Sequence, residues 1–218
     1  LDKSGSGYAV IRFLPALDDD KTAFVRVFNH GFQGPGGWYI ENSLTTIGQK
    51  DPLSEYNSVL WNSGIEANKE IARKQKRRLT YFSNIYVVED KANPQNEGKV
   101  FLFRFGKKIF DKISSMSNPE FEDETEVDIF NLWDGANFKL KIRKVDGFSN
   151  YDKSEFMTSA PLSEDESEME SVFGQQHDLE EFIDQKSFKT YDEVKTRLDT
   201  VLGNIQTPAM TAPTSVEN

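Results

Sequence analysis

Cations and aromatic rings alternate through the middle of this chain. The stretch opens with Arg73-Lys74-Gln75-Lys76-Arg77-Arg78 and runs into Thr80-Tyr81-Phe82-Ser83-Asn84-Ile85-Tyr86-Val87-Val88. It resumes as Lys99-Val100-Phe101-Leu102-Phe103-Arg104-Phe105-Gly106-Lys107-Lys108-Ile109. Lysine and arginine neutralise phosphates, and flat rings stack on unpaired bases. Together they suit one ligand class, a single-stranded nucleic acid.

The charge distribution sharpens this reading. The chain carries a net −10, yet residues 69–112 hold twelve cations against five carboxylates. Residues 146–218 hold five cations against sixteen carboxylates. Local potential steers a polyanion, so a basic island in an acidic chain is an electrostatic footprint. An unevenly charged, solvated surface is the bland alternative.

The 218 residues, 37% hydrophobic and 12% aromatic, are enough to bury a core. Without cysteine no disulfide forms, and a reducing cytoplasm is the default. No apolar run reaches membrane-spanning length. The chain opens on Leu1, and we expect a segment of a longer protein.

The elements that position these side chains read mainly as strands. Gly7 to Pro15 and Thr22 to Phe28 are dense in β formers. Arg12 in the first strand reads equally as a phosphate contact or as an outward charge on a half-exposed sheet. Residues 29–68 are the least regular region, with no dominant period over 42–68, and predict a loop-rich lobe. His30 is the only histidine of that region, so four nitrogen or sulfur ligands for zinc cannot be assembled.

After Gly106 the period becomes helical, through Ile109, Phe110, Ile113 and Met116. Lys107 and Lys108 at that junction suit a phosphate or a solvated helix face equally. Phe101, Phe103 and Phe105 share one strand face, and two of the three are expected in the core. Asn118 to Asp128 is an acidic loop with six carboxylates. Phe138, Leu140 and Ile142 alternate with Lys139, Lys141 and Arg143 as a half-buried strand. Asp146 to Asp152 reads as a loop offering Phe148 and Tyr151 as contacts.

Ser163 with Glu166 predicts a capped helix, Asp178 starts a short one, and Thr190 with Glu193 caps a third that stops at Gly203. Residues 204–218 read as a flexible tail. The pattern favours a small Greek-key barrel of about five strands.

Ordered blocks carry a resemblance. They include Ala9-Val10-Ile11-Arg12-Phe13-Leu14-Pro15, Asn29-His30-Gly31-Phe32 and Trp38-Tyr39-Ile40-Glu41. Further along come Arg104-Phe105-Gly106-Lys107-Lys108-Ile109, Gly135-Ala136-Asn137-Phe138 and Gly147-Phe148-Ser149-Asn150-Tyr151-Asp152. Together they resemble the single-stranded DNA-binding, helix-destabilising proteins of T-even-type bacteriophages, from Gly7 to about Phe156.

The resemblance implies an OB-fold core over 1–28 and 78–160, a loop-rich subdomain over 29–77, a helical connecting region over 161–203 and a tail over 204–218. It implies a non-enzymatic role in phage DNA replication, recombination and repair, in the cytoplasm of the infected bacterium, with no membrane. DNA contacts carry over to Arg12, Lys76, Arg77, Tyr81, Phe103, Phe148 and Tyr151. Arg78, Lys107 and Lys108 join them from the charge pattern.

Lys50 and Ala72 stand where relatives have tyrosines. The family's zinc ligands fall on His30, Ser43, Leu53 and Tyr56, so no zinc or other cofactor is expected, and Leu53 and Tyr56 should fill the lobe. Replication and recombination partners, and self-association along DNA, are expected to use regions outside this segment. An RNA-binding OB module, or a metal-dependent nuclease using the acids between Glu120 and Asp128, are the rival readings.

Overall fold

A computed structural model describes residues 1–203; the expected tail lies outside them. Among the described residues it is an α+β fold around a mostly antiparallel, open sheet. Contacts divide the chain into two units, residues 1–28 with 78–187, and residues 29–77 with 188 onward.

In the first unit, β1 (Gly7–Phe13) lies between β4 (Arg78–Glu89) and β6 (Ala136–Val145). β5 (Val100–Phe105) pairs with β4, and β8 (Glu155–Ser159) pairs with β6. The resulting order is β5-β4-β1-β6-β8. No pairing joins β5 to β8 among the described residues, so the expected closed barrel is not formed.

The sheet instead gathers around one ring. Phe13, fully buried, has Phe105 at 5.7 Å, Phe138 at 5.8 Å and Phe156 at 6.2 Å, which draws residues of β5, β6 and β8 onto one side chain. Burying such a ring stabilises the fold by roughly 2–3 kcal/mol. Helix α3 (Lys107–Ser117) closes this core with Ile109 and Ile113. Helix α4 (Glu166–Phe173) places Val172 against Leu14 and Val100. Its N-cap is Asp165 rather than Ser163, because the Asp165 carboxylate accepts from Ser167 N at 2.9 Å.

β2 (Phe24–Gly34) begins in the first unit and ends in the second. There it pairs with β3 (Gly37–Asn42). The expected loop-rich segment is largely helical: α1 (Pro52–Asn62) and α2 (Glu66–Gln75) occupy it. Asp51 caps α1 through Ser54 N at 2.8 Å, and Pro52 fixes the first turn. The basic run is thus the last turn of α2 and the start of β4.

Helix α5 (Tyr191–Leu202) belongs to the second unit, and its Val194, Leu198 and Val201 pack on Phe32, Tyr39, Leu44 and Leu53. Thr190 and Glu193 form the expected capping box, and Gly203 ends the helix at φ 76°. Gly36 meets its last turn so closely that a Cβ would sit 1.9 Å from Thr200 O.

Candidate nucleic-acid interface

Helix α3 and the hairpin of β6 with β7 (Phe148–Asn150) form the best-developed cation-and-ring surface of the first unit. β6 turns back at Asp146-Gly147, both left-handed at φ 52° and 82°, and Phe148–Asn150 returns as β7. Two consecutive left-handed residues match the twist of a tight hairpin. The Asp-Gly pair was the readable signal for it, although the segment was expected as a loop. At its tip Phe148 is 77% exposed, a bare ring without core duty. Tyr151 is half-buried and packs on the main core.

The lysines of α3 reach this hairpin. Lys108 Nζ donates to Asn150 Oδ1 at 3.0 Å, and Lys112 Nζ donates to Asp152 O at 3.3 Å. Arg143 on β6 grips Asp152 with two bonds, Nε to Oδ1 at 2.9 Å and Nη2 to Oδ2 at 2.5 Å. That guanidinium fork holds the Asp152 carboxyl down at about 2. Lys107 is exposed and paired with Asp111 at 2.6 Å.

On its other side α3 carries Phe110, and Arg26 lies 5.7 Å from the centroids of both Phe110 and Phe24. Arg26 is not among the expected site residues, although strand alternation puts it on one face with Phe24 and Phe28. One helix therefore joins Arg26, Lys107, Lys108, Lys112 and the Phe148 hairpin along an edge.

Two of the expected contacts lie inside the first unit. Arg12 does not point outward: it is fully buried, and its Nη2 donates to Asn131 O at 2.7 Å and Leu132 O at 3.2 Å. Burial pulls its pKa down to about 10, which still leaves it charged at neutral pH. Gly135 makes room for it, since a Cβ there would meet Asn131 O at 2.2 Å and Arg12 Nη2 at 2.8 Å. Tyr81 is 4% exposed and flanked by Phe110 and Phe105, so its faces serve the core.

Phe103 is half-buried, stacked on Phe105 at 5.6 Å. Arg78 is exposed at the start of β4. Lys76 and Arg77 are exposed in the second unit, where Arg77 donates to Thr45 Oγ1 at 2.5 Å.

The residues at the family's zinc positions do not fit that metal. Leu53 has no donor and is fully buried in the second unit's apolar core, with Tyr56 packed beside it. Ser43 Oγ shares a hydrogen bond with Thr45 Oγ1 at 3.0 Å, and His30 Nδ1 lies 3.0 Å from Gln75 O. A buried carboxylate does the tying instead. Asp51 accepts from Leu44 N at 3.0 Å and Ser54 N, and lies 3.6 Å from His30 Nε2.

A bare ring among cations on a sheet-built protein suits the class of single-stranded nucleic-acid binders. The comparisons narrow that class. The family described as gp32 DNA binding protein like matches residues 5–202, and the chain belongs to it. The chain is 46% identical over 210 residues to the single-stranded DNA-binding protein of Enterobacteria phage T2. It is 45% identical over 210 residues to that of Enterobacteria phage T4. Each match covers 93% of this chain and 68% of the relative. The single-stranded DNA-binding protein of Enterobacteria phage RB70 is 43% identical over 86 residues, 38% of this chain and 70% of that protein.

Proposed function

We propose that this chain binds single-stranded DNA without strong sequence preference, as a non-enzymatic protein of phage DNA replication, recombination and repair in the infected bacterium. The observation that carries this is the Lys108–Asn150 bond, which sets the cationic start of α3 beside the exposed ring of Phe148. The family membership supports the ligand class. The β5-β4-β1-β6-β8 sheet is an opened OB-type arrangement in this reading, and Arg26, Lys107, Lys108 and Phe148 are its working surface. Lys76, Arg77 and Arg78 add phosphate contacts, and Tyr151 and Phe103 give their exposed edges. Partner proteins and self-association belong to other regions of the full-length protein.

The mechanism is passive. Cations neutralise phosphates, while rings replace part of the stacking that bases lose on melting, roughly 1–3 kcal/mol per base. Preferring one strand over duplex shifts the melting equilibrium without ATP. Titration with an oligothymidylate, the matching duplex and the matching RNA at several salt concentrations tests it. Neutralising about four phosphates gives a log K against log salt slope near −3, at roughly −0.7 per phosphate. Equal affinity for duplex and single strand, or no salt dependence, contradicts the reading.

A further inference from the structure

The second unit contains a cleft of about 670 Å³ between α1 and α2, a volume within the range of small-ligand sites. One wall is an unusual stack. The guanidinium of Arg73 lies 5.3 Å from the centroid of the Trp61 ring, which is 49% exposed. Glu66, at 2.8 Å, and Glu70 both pair with Arg73 Nη1, holding that side chain beside the indole. Asn57 and Asn62 line the cleft with amide donors and acceptors, and Lys76 and Arg77 stand at it with positive charge.

Unpaired bases stack on aromatic rings and on guanidinium planes, and their phosphates seek lysine and arginine. We infer that this cleft holds one unstacked nucleotide of the bound strand, its base against the Trp61–Arg73 platform and its phosphate on Lys76 and Arg77. The inference rests on the single-stranded DNA reading and adds a base-binding subsite within the second unit. The ligand class is a nucleotide within a flexible strand, because the platform reads a π-face and every base has one.

The test uses the described chain with Trp38→Phe and Trp133→Phe, leaving Trp61 as the sole indole. Both replaced residues are half-exposed and lie outside the cleft. Oligothymidylate is titrated while Trp61 emission and fluorescence anisotropy of a labelled strand are followed together. The expected result is quenching of Trp61 that saturates with the anisotropy signal. In the otherwise native chain, Trp61→Ala should weaken binding about tenfold (~1.4 kcal/mol) with an unchanged salt slope. Arg73→Lys, which keeps the charge and loses the plane, should weaken it several-fold. Normal anisotropy with unaltered Trp61 emission, and full affinity in Trp61→Ala, would overturn the subsite while leaving DNA binding intact. Absence of any anisotropy change in the native chain would overturn the DNA reading itself, and this inference with it.

Discussion

The rings of Tyr81 and Phe110 lie face to face, with centroids 4.2 Å apart and planes 9° from parallel. Helix α3 is thereby locked to β4, and Tyr81 is committed to the core. Tyr81→Ala should therefore cost stability, about 3–5 kcal/mol for a large buried ring, read by urea denaturation. Tyr81→Phe keeps the stack and should bind DNA as the native chain does. Unchanged stability in Tyr81→Ala would contradict the placement.

Arg12 makes a parallel case. Its guanidinium satisfies the carbonyls of Asn131 and Leu132 inside the first unit. Arg12→Ala removes two charge-assisted hydrogen bonds and empties a buried site, at a cost of about 2–5 kcal/mol, although each carbonyl keeps one backbone donor, Gly135 N and Leu162 N. At temperatures where the variant stays folded, its salt slope should equal that of the native chain. A slope reduced by one phosphate contact would return Arg12 to the DNA surface.

Asp51 should replace a metal as the tie of the second unit. Prolonged dialysis against a chelator is expected to leave its melting temperature unchanged. Asp51→Asn should lower stability by about 2 kcal/mol: asparagine can still cap α1, but its amide nitrogen cannot accept the second of the buried bonds from Leu44 N and Ser54 N, and the charge is lost. Stoichiometric zinc retained after dialysis, found by elemental analysis, would contradict this.

The hairpin has a pH signature. An unfolded aspartate titrates near ~3.9, whereas Arg143 holds Asp152 at about 2. The ion pair therefore contributes fully above the unfolded value and is lost as pH falls through about 2. A carbon-detected NMR titration of the Asp152 carboxyl should show this depressed midpoint, and Arg143→Gln should restore an ordinary one. An ordinary midpoint in the native chain would remove the Arg143–Asp152 clamp.

Much of this architecture was readable from local pattern. The α5 capping box, the helical stripe after Gly106 and the strand ending at Pro15 each have a short-range cause. Helices α1 and α2 were hidden because their apolar residues do not mark one buried face. Val59, Trp61, Ile65 and Ile71 are exposed, while the buried positions include Pro52, Ala72 and Gln75. β8 was missed because an edge strand with exposed Met157 and half-buried Phe156 lacks a clean alternation. Burial of Arg12 was illegible because its carbonyl partners lie 119 and 120 residues away. Among the expected site residues, Lys107, Lys108 and Phe148 were legible as cations and a loop ring, but the Lys108–Asn150 bond that joins their elements spans 42 residues and leaves no local pattern.

That meeting is tested most directly by a paired salt titration of Phe148→Ala and Lys108→Ala with oligothymidylate. Loss of the ring should lower affinity by roughly 1–3 kcal/mol at every salt concentration, with the slope preserved. Loss of the ammonium should flatten the slope by about 0.7. Two variants indistinguishable from the native chain at all salt concentrations would show that the strand does not run along this edge.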